Sequence, residues 1–274
     1  MPDVPPACPG PVARRGVVAL KIDVASRDGL RAGVPRLLEL LALFGTRASF
    51  FLAFGPEDPE RSGWRSRLAG AFRPGRPVAL DHADLVRRIV DEGHEVGVRT
   101  RVHELDEAAI REQLELAFAA YERVLGVAPR AAAAPAWHAT AASLKAQDGL
   151  GLRYASDMCD AQPHRPVLDG YASSTLQIPS NRPCLLEVLP HPPERPGHWV
   201  DALLGADEAL RVLPMRAEIE GLAYHEFLHL LLVRLRTSGL RTVTLADVAE
   251  PLLALDPGRA CTEAERATVA RVAM

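Results

Sequence analysis

Two strand-like segments end in residues that could take part in hydrolysis. Residues 20–24 read LKIDV, and Asp23 stands near the carboxyl end of this apolar segment. A second segment runs into a loop that contains Arg99 and His103. An acid and a histidine at the carboxyl ends of parallel strands are how an α/β barrel builds a metal hydrolase site. The neighbouring positions, however, hold Ala25 and Arg99, which offer no lone pair to a metal ion. The sequence therefore predicts an enzyme-like scaffold whose metal ligands are partly missing.

A second pattern with metal-binding potential lies further along the chain. Residues 225–229 spell H-E-x-x-H on a predicted helix, which places His225 and His229 on one face beside Glu226, as in zinc peptidases. No histidine follows His229, and Glu250 is a distant candidate for a third ligand. We interpret this short pattern as a chance match.

Composition indicates a soluble globular protein. The chain has 274 residues, of which 48% are hydrophobic and 24% charged, so it can form one large α/β domain or two small ones. The net charge of −3 gives no field that would attract nucleic acid or an anionic membrane. The four cysteines are far apart and form no C-x-x-C pair, which makes a disulfide framework or a zinc knot unexpected.

The sequence shows no signal peptide and no transmembrane segment. Residues 1–11 are rich in proline and contain no apolar stretch of signal-peptide length. No run of 18 apolar residues occurs, so we expect no transmembrane segment. The prediction is a cytoplasmic protein, either free or peripheral to the inner membrane, with no nucleic-acid partner.

Strands alternate with helices along the chain. Apolar runs predict strands at 17–24, 48–54, 94–98, 151–155, 176–179, 185–189, 210–217 and 241–245, and a short strand followed by a loop within 130–137. Helical periodicity predicts helices at 31–44, 80–92, 106–125, 138–147, 203–209 and 222–238. This order indicates one α/β barrel over residues 16–255. A flexible, proline-rich segment at 1–15 precedes it, and a C-terminal tail at 256–274 follows.

Several motifs taken together indicate a family. They are LKIDV (20–24), GVPRLLELL (33–41), RASFF (47–51), GHEVG (93–97), APAW (134–137), RYASD (153–157), QIP (177–179) and AEIEG (217–221). On these motifs the chain resembles the polysaccharide deacetylase (NodB-type) family over roughly residues 16–250. Within it, the chain is most similar to the branch of lipid-linked 4-deoxy-4-formamido-arabinose deformylases.

The resemblance implies a fold and a reaction. The fold is a distorted (β/α)7–8 barrel, and the reaction removes an N-acyl group from an amino sugar by hydrolysing a non-peptide C–N bond. In the family one Asp and two His hold a divalent metal such as zinc, a second Asp is the general base, and a late His is the general acid. By position, Asp23 matches the base and His103 one metal ligand. Pro135 and Trp137 match the wall of the substrate pocket, and Asp157 matches a further acid.

Three positions depart from the family pattern. Ala25 stands at the position of the metal-binding Asp, Arg99 at that of the first metal His, and Arg216 at that of the late catalytic His. A methyl group and a guanidinium cannot ligate, and the pKa of arginine is far too high for a general acid near neutral pH. No cofactor is therefore expected, unless another residue such as Asp28 rescues the metal site.

The predicted site is assembled from these matches and departures. The predicted catalytic residues are Asp23 and Arg216, and the only metal ligand that matches is His103. The predicted substrate-binding residues are Arg99, Pro135, Trp137, Asp157 and Glu218.

The two arginines allow two interpretations. They could reflect codon drift, since all basic residues except Lys21 and Lys145 are arginine. Alternatively, two fixed cations replace the charge of the metal ion, Asp23 pairs with Arg99, and the pocket accepts a phosphate or a carboxylate.

Two functions remain open at this point. The first is a de-N-acylase of an amino sugar that is impaired or independent of metal. The alternative is a non-catalytic relative that binds an anionic sugar or sugar phosphate, or that stabilises an active deacetylase partner. A lipid-linked sugar also belongs to the predicted partners. Residues 56–77 are nevertheless short and arginine-rich where the deformylases have a longer apolar insertion, which disfavours an undecaprenyl-linked substrate.

Overall fold

The computed structural model describes residues 16–55, 78–100, 106–189, 197–205 and 208–255. The strands are β1 (Val17–Val24), β2 (Ser49–Leu52), β3 (Glu95–Arg99), β4 (Ala131–Ala133), β5 (Tyr154–Ala155), β6 (Val167–Leu168), β7 (Tyr171–Ala172), β8 (Leu176–Gln177), β9 (Leu210–Arg216) and β10 (Arg241–Val243). The helices are α1 (Val34–Phe44), α2 (Val78–Asp81), α3 (Ala83–Asp91), α4 (Glu107–Leu125), α5 (Ala141–Gly149), α6 (Leu185–Val188), α7 (Gly197–Leu204), α8 (His225–Ser238) and α9 (Leu245–Leu255).

Eight strands form a parallel, curved sheet. Their order is β10, β1, β2, β3, β4, β5, β8, and β9 pairs with the other edge of β1. Strand β10 pairs with the first half of β1, and β2 pairs with the second half of β1. Helices surround the sheet, which confirms the predicted α/β barrel-like fold. The predictions for residues 1–15 and 256–274 lie outside the described residues.

Alternating residues of β1 divide the core into two layers. Val17 and Ala19 face the inside of the curved sheet and pack in a cluster with Phe51 and Tyr154. Leu20 and the other residues of opposite parity pack outward against the helices. Because both faces of the sheet are covered, the strand is apolar at nearly every position. This double burial explains the apolar run from which the strand was predicted.

A buried polar network closes the amino ends of the strands. The Glu95 carboxylate accepts hydrogen bonds from Ser49 Oγ (2.6 Å), from Tyr154 OH (2.5 Å) and from the Ala246 N–H (3.0 Å) at the start of α9. Burial raises the pKa of Glu95, and the three hydrogen bonds oppose that shift. The polar groups at this end of the barrel therefore stabilise the fold. Binding or catalysis is expected at the opposite end, where the strands have their carboxyl ends.

Two predicted elements are wrong. Residues 185–189 were expected to form a strand but contain α6, because Glu187 accepts a hydrogen bond from the Cys184 N–H (2.8 Å) and caps a helical turn. The helix expected at 203–209 instead ends at Leu204, and Leu210 begins β9. In both cases short apolar runs fit a strand and a helix equally well.

Two elements were not predicted at all. Helix α9 contains Pro251, which hides its periodicity, although Thr244 and Asp247 form reciprocal capping hydrogen bonds at its start. The small hairpin of β6 and β7 is fixed by Asp148, whose carboxylate accepts hydrogen bonds from Tyr171 OH (2.7 Å) and Thr175 Oγ1 (2.7 Å). No described helix has the length and apolar character that crossing a membrane would require.

Candidate functional site

A small cavity of about 20 Å³ opens at the carboxyl end of the sheet, between β1, β9 and the turn after β4. Asp23 and Arg216 are register partners on β1 and β9, so their side chains leave the sheet on the same face. Both line this cavity, together with Ala134, Ala136, Trp137, Cys184, Pro214 and Met215. We call it the mouth cavity. It brings together three residues of the predicted site, namely Asp23, Trp137 and Arg216.

The Asp23 carboxylate has no bonding partner within the described residues. Its Oδ1 atom is buried and accepts no hydrogen bond. Lys21 lies two residues earlier on the same face, but its Nζ donates to the Ser156 carbonyl (2.9 Å) and lies 5.8 Å from the centre of the Phe51 ring. A buried carboxylate oxygen without a hydrogen-bond donor destabilises the fold. Asp23 is therefore available to accept a hydrogen bond from a bound ligand.

Arg216 is half-buried and is anchored through its backbone. Its N–H donates to Glu220 Oε2 (2.8 Å), while its guanidinium forms no hydrogen bond or ion pair in the described parts of the chain. Burial raises the pKa of Glu220 to about 7, although the hydrogen bond from Arg216 and its positive charge act in the opposite direction. The guanidinium therefore faces the mouth cavity with its donors available.

Glu218 holds the loop after β1. Its Oε1 atom accepts hydrogen bonds from the Ala25 N–H (2.9 Å), from the Ser26 N–H (2.7 Å) and from Ser26 Oγ (2.9 Å). Ala25 lines a smaller neighbouring cavity with Gly55 and does not line the mouth cavity. The structure thus places Glu218, a predicted substrate-binding residue, where it fixes the backbone next to Asp23.

The turn at Pro135–Trp137 forms one wall of the mouth cavity. Pro135 is buried, whereas Ala136 and Trp137 adopt φ angles of 53° and 54°. Positive φ is strained for a residue with a Cβ, and such strain is typical of binding sites held in place by their surroundings. Trp137 therefore lines the mouth cavity from a strained turn, and its role as a wall of a substrate pocket stays a prediction from the family resemblance.

Arg99 lies elsewhere. Its side chain is 8% exposed and lines a different cavity with Gly55, Thr100 and residues of α4 such as Gln113. Asp23 forms no ion pair in the described ranges, so the expected pairing of Asp23 with Arg99 is wrong. The two residues have the same parity on their strands, but Arg99 stands at the last position of β3, where the chain leaves the sheet.

Asp157 is buried next to the wall of the mouth cavity and does not line it. It is fully buried and accepts hydrogen bonds from Gln147 Nε2 (2.7 Å) and Gln177 Nε2 (3.1 Å). Burial raises its pKa, and a hydrogen bond from the backbone of Ala134, which lines the mouth cavity, opposes the shift. Asp157 is thus placed to order the wall of the cavity and does not itself face it.

The residues described do not fit the family's metal ion. They contain no group of three or more His, Cys, Asp and Glu side chains that could hold a metal. Around the mouth cavity the donors are the Asp23 carboxylate and the Cys184 thiol, and His103 lies outside the described residues. A protein metal site needs about three ligands with an open position. Neither Ala25 nor Arg99 supplies one.

Sequence reasoning missed Cys184 as a residue of the site. It follows a proline-rich loop and carries no motif, and only the path of the chain from β8 to α6 brings it to the mouth cavity. Burial raises the pKa of its thiol, so it is not an activated nucleophile.

The H-E-x-x-H pattern lies outside the barrel, on α8. The His229 ring packs against Phe44 of α1, with 5.5 Å between the ring centres, and His225 Nε2 lies 3.4 Å from the Arg36 carbonyl. The two histidines therefore serve the packing of α8 against α1, which agrees with the interpretation of this pattern as a chance match.

Similar proteins support this reading of the fold. The chain is 24% identical over 266 residues to a probable 4-deoxy-4-formamido-L-arabinose-phosphoundecaprenol deformylase from Shewanella sediminis, covering 85% of this chain and 86% of that protein. A putative polysaccharide deacetylase from Mycobacterium smegmatis has a similar structure, with a TM-score of 0.65 and 20% identity over 96% of this chain and 98% of that one. A CE4 family pseudoenzyme from Bacillus anthracis aligns with a TM-score of 0.56 and 17% identity over 88% and 69% of the two chains.

The family profile gives the assignment. The profile described as polysaccharide deacetylase matches residues 12–155, which is more than half of the chain and includes β1 to β5. This match agrees with the parallel, curved sheet and with the cavity at its carboxyl end. The chain belongs to the polysaccharide deacetylase family.

Proposed function

We propose that this chain has lost the metal-dependent hydrolysis of its family and uses the mouth cavity to bind an amino sugar or sugar phosphate. The observation that carries the proposal is the arrangement around Asp23. The expected general base shares its cavity with the Arg216 guanidinium, while the two replaced ligand positions, Ala25 and Arg99, border other cavities.

The donor set supports the loss of the metal. Amide hydrolysis requires that a metal ion or an equivalent group polarises the carbonyl while a base activates water. At the family's ligand positions, a methyl group and a guanidinium leave His103 as the one remaining side chain with a donor atom. One histidine and an adjacent base fall short of the usual three protein ligands.

The leaving group would also lack its acid. The amine formed on hydrolysis must receive a proton, and in the family a late histidine supplies it. Arg216 stands at that position, and its guanidinium stays protonated at every physiological pH. It can hold an anion through two parallel hydrogen bonds, but it cannot exchange the proton that catalysis needs.

Binding of a sugar is supported by the groups that remain. The mouth cavity has a volume of only about 20 Å³, so a sugar would lie across its opening and insert a polar group into it. Its lining includes an aromatic side chain, a carboxylate and a guanidinium, and the backbone at Arg216 is fixed by its hydrogen bond to Glu220.

The test compares the natural chain with a variant that restores the family's residues. The natural chain is expected to hold no stoichiometric zinc, cobalt or nickel and to leave N-acetylglucosamine oligomers and N-formyl amino sugars intact, even with added metal. The triple variant A25D/R99H/R216H is expected to bind zinc stoichiometrically and to gain amide hydrolysis. In the Bacillus anthracis pseudoenzyme of the same fold, a mutant with restored enzymatic activity has been obtained.

Two control variants locate any metal that is found. Zinc that depends on His103 in the natural chain, together with measurable amide cleavage, would contradict the proposal and establish a working hydrolase. Zinc that is lost on His225→Ala instead would place it on α8, away from the mouth cavity. A triple variant that folds but binds no zinc would show that the ligand positions were assigned wrongly.

A further inference from the structure

The mouth cavity contains two opposite charges that do not neutralise each other. Asp23 and Arg216 are register partners, yet neither side chain forms an ion pair or a hydrogen bond in the described parts of the chain. Neighbouring charges of opposite sign normally pair when their geometry allows it, since each otherwise bears its desolvation cost alone.

We propose that the ligand of this cavity carries a cation and an anion together, and that it is a de-N-acylated amino sugar bearing a phosphate or a carboxylate. The inference rests on the proposed binding function and names its ligand class. The ammonium group of the free amine pairs with Asp23, and the anionic group binds the Arg216 guanidinium. Atoms on one sugar ring can place two such groups several ångströms apart without bringing them together.

Ligands with a single charge fit the cavity less well. A sugar phosphate with no amine brings an anion near the Asp23 carboxylate and offers its buried Oδ1 atom only a neutral hydroxyl in place of a cation. An amine without an anion leaves the Arg216 donors unused. Specificity therefore arises because each incomplete ligand leaves one charge of the site without a partner.

The N-acyl group is what the site would detect. While the acyl group is present, the nitrogen is a neutral amide that carries no charge and adds bulk next to the strained turn of Ala136 and Trp137. Once it has been removed, the nitrogen is a protonated amine. This places the chain after a de-N-acylation reaction, as a protein that recognises the product of such a reaction.

Calorimetric titration of the full chain tests this inference with matched pairs of sugars. Glucosamine 6-phosphate and N-acetylglucosamine 6-phosphate differ in the charge at nitrogen, while glucosamine and glucosamine 6-phosphate differ in the anion. Muramic acid and N-acetylmuramic acid repeat the comparison with a carboxylate in place of the phosphate. The doubly charged sugar is expected to bind about tenfold or more tightly than either singly charged relative. The two series show whether the anion is a phosphate or a carboxylate.

Variants separate the two charges. Asp23→Asn is expected to abolish the preference for the free amine and to keep the preference for the anion, and Arg216→Gln is expected to do the reverse. Asp91→Asn and Arg123→Gln change exposed residues on α3 and α4 and are expected to leave binding unchanged.

The outcomes distinguish this inference from the proposed function. Equal affinity for the acylated and free-amine sugars, or no binding of any sugar in the series, would overturn the inference while the loss of hydrolysis stands. Release of acetate from N-acetylglucosamine 6-phosphate during the titration would overturn the proposed function itself.

Discussion

Asp23 and Arg216 face each other across two adjacent parallel strands and line one cavity without forming an ion pair. In an active member of this family, by the resemblance, these positions hold the base and the acid of one reaction. By the same resemblance, Arg216, a permanent cation, stands at the position of the acid and Asp23 at that of the base. Our proposal rests on this pair, because arginine at the position of the acid does not release a proton near neutral pH.

Arg216 is expected to contribute little to stability. Its guanidinium forms no bond in the described residues, so Arg216→Gln should change the free energy of unfolding by no more than about 0.5 kcal/mol. Arg211 on the same strand is the matched control, because it is fully buried and donates to the carbonyls of Leu204 (2.7 Å) and Glu208 (2.6 Å). Arg211→Gln should cost about 3 kcal/mol. Urea unfolding of both variants provides the measurement, and an equal loss for the two would refute a ligand-binding assignment of Arg216.

Two π-helical turns pack closely together just after the strands that carry Asp23 and Arg216. The turns Gly29–Gly33 and Ile219–Ala223 follow β1 and β9, and a Cβ added to Gly33 would lie 2.2 Å from the Ala217 carbonyl oxygen. Gly33→Ala must therefore push the turns apart, and we expect a loss of about 3 kcal/mol in unfolding free energy together with weaker sugar binding.

Gly55→Ala is the control for that prediction. A Cβ at Gly55 would meet no atom within 4 Å, and its φ is not positive, so this variant should remain within about 0.5 kcal/mol of the natural chain. Wild-type stability of Gly33→Ala in chemical denaturation would show that the turns are loosely packed.

Glu220 is expected to make the stability depend on pH near neutrality. This residue is 2% exposed, and burial raises the pKa of its carboxyl group from an ordinary value near 4.5 to about 7. Because the folded state holds the proton more tightly than the unfolded state, the stabilisation is complete below about pH 4.5 and declines as the pH rises through 7. The total loss should be roughly 3 kcal/mol.

The variant Glu220→Gln should remove this dependence, since an amide does not titrate and its oxygen can still accept the Arg216 N–H. Unfolding curves between about pH 5 and pH 8 measure the effect. Glu122→Gln, on the exposed side of α4, is the control and should retain the decline. A natural chain whose stability is flat over this interval would mean that Glu220 is ionised at lower pH.

A glycine in the strained turn of the cavity wall should stabilise the protein. Ala136 adopts a φ of 53°, which costs an L-residue about 1–2 kcal/mol and costs glycine nothing. Ala136→Gly should therefore raise the unfolding free energy by about 1 kcal/mol after the added chain entropy is allowed for. Ala119→Gly, at an exposed position within α4, should lower it by about the same amount. Thermal unfolding distinguishes the two signs, and destabilisation by both variants would contradict the strain argument.

The periodicity of apolar residues was sufficient to predict the main strands and helices of the barrel. The apolar run of β1, the helical spacing of α1 with Gly45 after it, and the long α4 behind Asp106 were all predicted and confirmed, because burial on one or both faces forces a regular pattern onto the sequence. Short segments such as α6 carried no such pattern, since four residues fit either type of element.

Motif order predicted the family correctly but could not assign each residue a position in space. Asp23, Trp137 and Arg216 do meet at one cavity, whereas Arg99 points to another. Glu218 binds the backbone of Ala25 and Ser26, a contact between residues almost 200 positions apart. Spacing along the chain contains no information about such pairs.

By itself the sequence determined that this chain folds as a polysaccharide deacetylase, and it predicts that Ala25, Arg99 and Arg216 stand where the family has its ligands and acid. These are properties of residue type and order. Only the tertiary structure decided that Asp23 and Arg216 share a cavity without pairing and that Arg99 does not join them. The physical reason is that strand register and the packing of two distant turns set where each charge lies, and these depend on contacts between segments that the sequence separates.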